Sequence, residues 1–473
     1  MPSSLQGVIL PRQNDPVGRL DSYAGEDIAA TRKGGVLKVV LLTVVSLLVT
    51  AALVLACLPN RLGFGPWAAE IVEGHYDVRN VLAECIGELS DEELVGQLFV
   101  VGIDGLDLGD ATVERLAGLR PAGVILFARN IAGADQLREL TGSLQAEAAE
   151  LSLPGLLIAV DQEGGRVRRL KDGFSAIPAM GGLPGRTDPA GAETVGEVIG
   201  RELAAVGCNW NLAPVVDVLT NPSNPGIGDR SFSGDPAVVS EYACAVARGI
   251  LAVGVAVCAK HFPGKGEAAV DAHYDLPVIA VDREHLEIYE WPPFRALLTD
   301  GQWLKAAMVS HVVIPVLDPE KPASLSPAAY DALRGDIGFD GVAVTDDLEM
   351  GAIVKNYGLT EAAVMALGAG ADLVLVCHTA ARMTGARDAV LAALKEGGLE
   401  RDSLRRHVLR VWLFKLALGL PLPGLADYDR AFTEACLYLG LDPVERKRLL
   451  ENPPDVSVCG TAEHRALLDG ALR

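Results

Sequence analysis

Eight short apolar runs, separated by stretches with helical periodicity, recur through most of this chain and restrict it to a fold of alternating strands and helices. The runs are residues 97–102, 123–127, 156–160, 210–214, 255–260, 307–311, 341–345 and 372–377, and their length and character suit buried parallel strands. Between them, segments such as 135–151, 192–206 and 236–253 read as amphipathic helices, and 360–368 opens on Thr360 in an N-cap-like position. Eight strand–helix units in this order predict an α/β fold, a (β/α)8 barrel of TIM type, with a doubly wound sheet as the structural alternative. The barrel is expected over residues 88–421. After residue 380 the pattern is helical only, so residues 422–473 are expected to form a helical extension.

The amino terminus reads differently. Residues 39–58 carry no charge and have the length of about 20 residues that a helix needs to cross the hydrocarbon core, so a transmembrane signal anchor is expected there. Arg12, Arg19, Arg32, Lys33 and Lys38 precede it, whereas Arg61 alone begins the following segment. The positive-inside rule then leaves tail 1–38 in the cytoplasm and everything after the anchor outside a cell membrane, with 59–87 as linker. The alternative is a cleaved lipoprotein signal, since Val54-Leu55-Ala56-Cys57 loosely resembles a lipobox.

A net charge of -21 argues against nucleic acid as a partner, because phosphate binding needs a basic footprint. Half the residues are apolar, ample for a large core. Cys208, Cys244, Cys258 and Cys377 sit inside apolar runs without metal-ligand spacing, and no Gly-rich dinucleotide or phosphate loop follows any run. No metal and no cofactor are therefore expected.

Polar residues punctuate the carboxyl ends of the runs, which in a barrel converge on one mouth. Asp161-Gln162-Glu163-Gly164-Gly165-Arg166 follows the third run, Asp217 the fourth, Lys260-His261 the fifth, Ser310-His311 the sixth and Asp346-Asp347 the seventh. Arg230 lies in the Gly/Pro-rich loop after the fourth. The loop from Lys260 through Phe262-Pro263-Gly264-Lys265-Gly266 leads to Asp271-Ala272-His273, whose spacing lets a carboxylate orient an imidazole. Taken singly, Asp346 could cap a helix, His273 could be a surface-loop histidine, and Asp161 with Arg230 could be a structural ion pair. His311 and His378 read as supporting or core residues.

Together, Asp161-Gln162-Glu163-Gly164-Gly165-Arg166-Val167, Lys260-His261-Phe262-Pro263-Gly264, Asp271-Ala272-His273 and Thr345-Asp346-Asp347-Leu348-Glu349-Met350 resemble the family 3 glycoside hydrolases, in their β-N-acetylglucosaminidase branch, over about residues 88–380. The resemblance implies a retaining hydrolase with Asp346 as nucleophile and His273, oriented by Asp271, as acid/base. It implies that Asp161, Arg169, Arg230, Lys260 and His261 hold sugar hydroxyls. The substrate it implies is a terminal β-linked N-acetylglucosamine on a peptidoglycan fragment, muropeptide or related oligosaccharide. Two positions depart from the family pattern: Ala272 stands where Ser or Thr is usual, and Lys265 where many members have His. The alternatives are a β-N-acetylglucosaminide phosphorylase and a non-catalytic module that binds cell-wall sugar.

Overall fold

The computed structural model describes residues 77–299 and 304–472. Eight parallel strands form the central sheet: β1 (Phe99–Gly102), β2 (Gly123–Leu126), β3 (Leu157–Val160), β4 (Trp210–Asn211), β5 (Val257–Phe262), β6 (Lys305–Val309), β7 (Val342–Asp347) and β8 (Leu373–Val376). Their order is β4-β3-β2-β1-β8-β7-β6-β5, so β1 pairs with β8 and the ends of the sheet meet. Parallel bridges Trp210–Ala256 and Val215–Lys260 join β4 to β5 and close the ring. This is the expected TIM-type barrel.

All eight strands are explained by the same burial. With sheet neighbours on both sides and helices outside, Val100, Val124, Ile158, Val257 and Val344 have essentially no exposure, which suits continuous apolar runs better than alternating ones. A layer of side chains from alternate strands fills the barrel below the mouth: Ile125 of β2, Leu212 just after β4, Met308 of β6 and Leu375 of β8 are each at most 2% exposed. Outer helices open on side-chain caps. Asp188 and Asp235 accept backbone N–H bonds at the starts of Pro189–Ala205 and Pro236–Ala252, with Pro in the first turn where its missing N–H costs no bond.

Strand limits shift from those read in the sequence at two informative places. β5 runs to Phe262 rather than ending at Lys260, and β7 runs to Asp347 rather than Thr345. The polar side chains expected on loops therefore sit on strand ends, where the ladder fixes their direction. Residues 78–87, within the expected linker, form the helix Val78–Gly87, which buries Val78, Leu82 and Ile86 at i, i+4, i+8 spacing against helix Arg401–Ala417. Beyond the barrel, helices Tyr428–Tyr438, Pro443–Glu451 and Ala462–Ala471 follow. The tail 1–38 and the expected anchor 39–58 lie outside the described residues. Among the described residues, no helix is long and apolar enough to cross a membrane.

Candidate active site

At the carboxyl end of the barrel, Asp161, Glu163, Arg169, Arg230, Lys260, His261, Lys265, His273, Asp346 and His378 line one cavity of ≈ 260 Å³ above the apolar floor. The carboxylate of the seventh unit and the imidazole of the fifth unit's excursion thus open onto the same space. Asp271 stands just behind that imidazole. Its Oδ1 lies 2.7 Å from His273 Nδ1 and also accepts the backbone N–H of His273 at 3.0 Å. With Nδ1 turned to a carboxylate, Nε2 is the nitrogen left to exchange a proton with a substrate. Burial alone would raise Asp271, but its hydrogen bonds from His273 outweigh burial and leave its pKa below the ordinary value.

Asp346 is the other reactive group. Burial opposes its ionisation, yet Lys265, then His311 and His273, overcome that penalty and hold its pKa at about 2. Lys265 Nζ lies 3.7 Å from Asp346 Oδ2. The Asp347 backbone N–H donates to Asp346 Oδ1 at 3.0 Å and fixes the carboxylate's rotation. Buried His311 bridges Ser324 Oγ at 2.7 Å and the Asp347 carbonyl at 2.9 Å, so it braces the segment that presents Asp346. The result is an ionised, partly exposed carboxylate at the barrel mouth.

The remaining polar residues form one alternating network. Arg169 reaches Asp161 at 3.4 Å, and Lys260 Nζ lies 2.8 Å from Asp161 and 2.6 Å from Glu163. Glu163 takes two bonds of 2.8 Å from Arg230, which also faces His261 Nε2 at 3.3 Å. His261 Nδ1 lies 2.6 Å from Asp217, whose other oxygen accepts the Lys265 backbone N–H at 2.8 Å. Burial, then Lys265 and Arg230, push His261 well below its ordinary pKa. The imidazole is accordingly neutral, donating from Nδ1 to Asp217 and accepting from Arg230 at Nε2. For Glu163, burial is outweighed by Arg230 and Lys260, which bring it to about 2.

All the residues expected to bind sugar, Asp161, Arg169, Arg230, Lys260 and His261, are brought together here. They are not equally available. Arg230 and His261 are largely committed to Glu163 and Asp217, so they brace the wall, while Asp161 and Arg169 are more open. The sequence reading gave no role to Glu163, Asp217 or Lys265. All three stand inside or beside the quoted motifs, which was the available signal. Of the two readings of His378, core and supporting, the core one fails: it is half-exposed, packs on Phe127 and lies 3.3 Å from Asp347. Among the described residues, no group of three or more His, Cys, Asp or Glu side chains is placed to hold a metal ion.

A parallel barrel whose mouth joins an ionised carboxylate to a carboxylate-oriented imidazole has the parts of a hydrolase that works through a nucleophile and a proton donor. Comparison with known proteins narrows this. Residues 90–413 match the model of the glycosyl hydrolase family 3 N-terminal domain. The chain is 38% identical over 286 residues to a beta-hexosaminidase of Nitrosomonas eutropha, covering 59% of this chain and 80% of that one. It is 40% identical over 288 residues to a beta-hexosaminidase of Xylella fastidiosa, covering 59% and 83%. A family 3 beta-N-acetylglucosaminidase structure from Paenibacillus sp. superposes with TM-score 0.70 at 36% identity, over 81% of this chain and 68% of that one. A beta-N-acetylhexosaminidase structure from Beutenbergia cavernae gives 0.64 at 34%, over 69% and 99%. The chain belongs to glycosyl hydrolase family 3, in the branch of its β-hexosaminidases, and is a glycoside hydrolase enzyme.

Proposed function

We propose that this enzyme is a retaining exo-β-N-acetylglucosaminidase that acts through a covalent glycosyl-enzyme on Asp346. The observation that carries the reading is that Asp346 and His273, the latter backed by Asp271, line one cavity. In the first step the Asp346 carboxylate attacks the anomeric carbon while His273 Nε2–H protonates the departing glycosidic oxygen. In the second, neutral His273 takes a proton from water, whose oxygen attacks the same carbon from the opposite face and releases Asp346. Two inversions give net retention. Asp161 and Arg169, with Lys260 behind them, are the groups best placed to hold ring hydroxyls.

Size supports the exo action proposed. A cavity of ≈ 260 Å³ falls below the roughly 300 to 1,000 Å³ of drug-sized sites, and fits one terminal sugar rather than a chain passing through. The name of the Paenibacillus enzyme supplies the N-acetyl specificity of the proposal. Cell-wall fragments, muropeptides among them, are the proposed substrates, and residues 39–58 are proposed to tether the catalytic barrel outside a cell membrane.

The test is hydrolysis of an aryl β-N-acetylglucosaminide by the full chain. Asp346→Ala should lower kcat/KM by on the order of 10⁴-fold, and a 2-acetamido-5-fluoro sugar should label Asp346 in peptide mapping. Label on another residue would refute the assignment. Binding without turnover would favour the sugar-binding module, and release of a sugar 1-phosphate with added phosphate would favour a phosphorylase. Membrane fractionation of the full chain, against a chain lacking residues 1–58, tests the tether.

A further inference from the structure

The loop bearing His273 is fastened to the segment that bears Asp346. β7 ends at Asp347, and the short helix Gly351–Val354 begins four residues later. The first N–H groups of a helix have no partner within it. Here the Gly351 N–H donates to the His273 carbonyl and the Ala352 N–H to the Ala272 carbonyl, each at 3.1 Å, while Lys355 Nζ holds the Tyr274 carbonyl. Three consecutive carbonyls, on both sides of the imidazole and at it, are thus tied to one helix and its C-cap residue.

Apolar packing locks the same contact. Ala272, the departure from the family's usual Ser or Thr, is 3% exposed and packs with Met350 and Ala352, against which Leu276 also rests. Its methyl group is buried where a hydroxyl would need a partner. Closeness depends on Gly351: a Cβ there would stand 2.7 Å from the His273 carbonyl oxygen and 2.8 Å from that of Tyr274. Real Cβ atoms do not approach backbone oxygens so closely, so a side chain at 351 must push the loop outward.

We infer that Gly351 is a positioning residue, whose bare Cα lets the Ala272–Tyr274 backbone dock on the helix after β7 and so sets His273 at working distance from Asp346. The inference rests on the proposed roles of those two residues. It extends them by naming what holds the proton donor in place. Misplacing a general acid by a few tenths of an ångström to an ångström removes its contribution without touching the nucleophile.

The experiment compares Gly351→Ala with the parent, using the full chain and two β-N-acetylglucosaminides, phenyl and 2,4-dinitrophenyl. The phenyl leaving group needs protonation and the dinitrophenyl group does not. Expected are a loss in kcat/KM of about 100-fold for the phenyl substrate and less than about threefold for the dinitrophenyl one. With the latter, kcat should also fall, because water then lacks its base. Azide should restore kcat by attacking the glycosyl-enzyme as an anion, giving the glycosyl azide and freeing the Asp346 carboxylate with no proton moved.

Equal losses on both substrates, or none on either, would overturn the inference and leave the proposed function standing. Should Gly351→Ala not fold, Ala272→Leu, which overpacks the Met350–Ala352 contact, must give the same split between leaving groups. A parent chain that turns over neither substrate sinks the proposed function and the inference with it.

Discussion

Lys265 matters most to the nucleophile, because its ammonium group, 3.7 Å away, is the strongest attraction that keeps Asp346 ionised against the cost of partial burial. An acid whose folded pKa is held at about 2 stays a carboxylate throughout the range in which the enzyme can work. Asp346 therefore contributes no acid limb to kcat/KM above roughly pH 3 in the parent. In Lys265→Met the burial penalty remains and its main counterweight is gone, so the carboxyl should titrate roughly 1 to 3 pH units higher. The sign follows directly: loss of activity on acidification should begin at higher pH in Lys265→Met. Lys265→His should fall between the two. Profiles of kcat/KM against pH with an aryl substrate decide the matter, and superimposable acid limbs would mean that Lys265 does not govern the nucleophile.

The loop that carries Lys265 leans on a second buried acid. Glu290, at the junction of turn Leu286–Glu290 and helix Trp291–Leu298, is 2% exposed, and a Cβ on Gly264 would stand 2.2 Å from its Oε2. Gly264 also has φ +116, so two independent constraints reserve that position for glycine. Burial raises Glu290 to about 7, with Asp217 and Glu267 adding to the rise and His285, 3.5 Å away, opposing it. A carboxyl with a raised folded pKa binds its proton more tightly when folded, so its contribution to stability is complete below the unfolded value near 4.5 and is lost as pH rises through about 7. Glu290→Gln should then flatten the pH dependence of the melting temperature over that window and stabilise the protein above pH 7 by about 1 to 3 kcal/mol. An unchanged slope would show that His285 neutralises the acid. This same stretch marks the limit of what was legible in sequence. The strands and the polar residues at their ends could be read because burial and alternation are local properties, whereas the roles expected of Asp346, His273 and Asp271 came from the resemblance of their motifs to a known family. The pairing of Glu163 with Arg230, of Asp217 with His261 and of Lys265 with Asp346 could not, since each joins residues 44 to 81 positions apart that only barrel closure brings together. Ala272 looked like a defect in the motif and is instead a packing contact.

At the scale of the whole molecule, the C-terminal extension and the active-site face share a buried acid. Glu202, on helix Pro189–Ala205 and 1% exposed, accepts from Ser175 Oγ at 2.6 Å and Ser175 N at 3.1 Å. It also accepts from Gly460 N at 2.8 Å and His464 Nδ1 at 3.1 Å. Ser175 belongs to the same excursion after β3 that bears Arg169, so the extension braces a wall of the cavity from behind. Removing the shared acceptor strands several buried donors, each costing about 1 to 3 kcal/mol, against a typical total stability of roughly 5 to 15 kcal/mol. Glu202→Ala should accordingly lower the unfolding free energy by about 3 kcal/mol, read from the denaturant midpoint. Deleting residues 456–473 removes two of the four donors together with the helix Ala462–Ala471, and it should destabilise by a comparable amount. Because both changes act on one node, they should not add. In the shortened chain Glu202→Ala should cost about 1 to 2 kcal/mol less than in the full chain, a coupling that a double-mutant cycle measures. Strict additivity would show instead that the extension is held by its apolar contacts alone, and that Glu202 serves only the loop of Ser175.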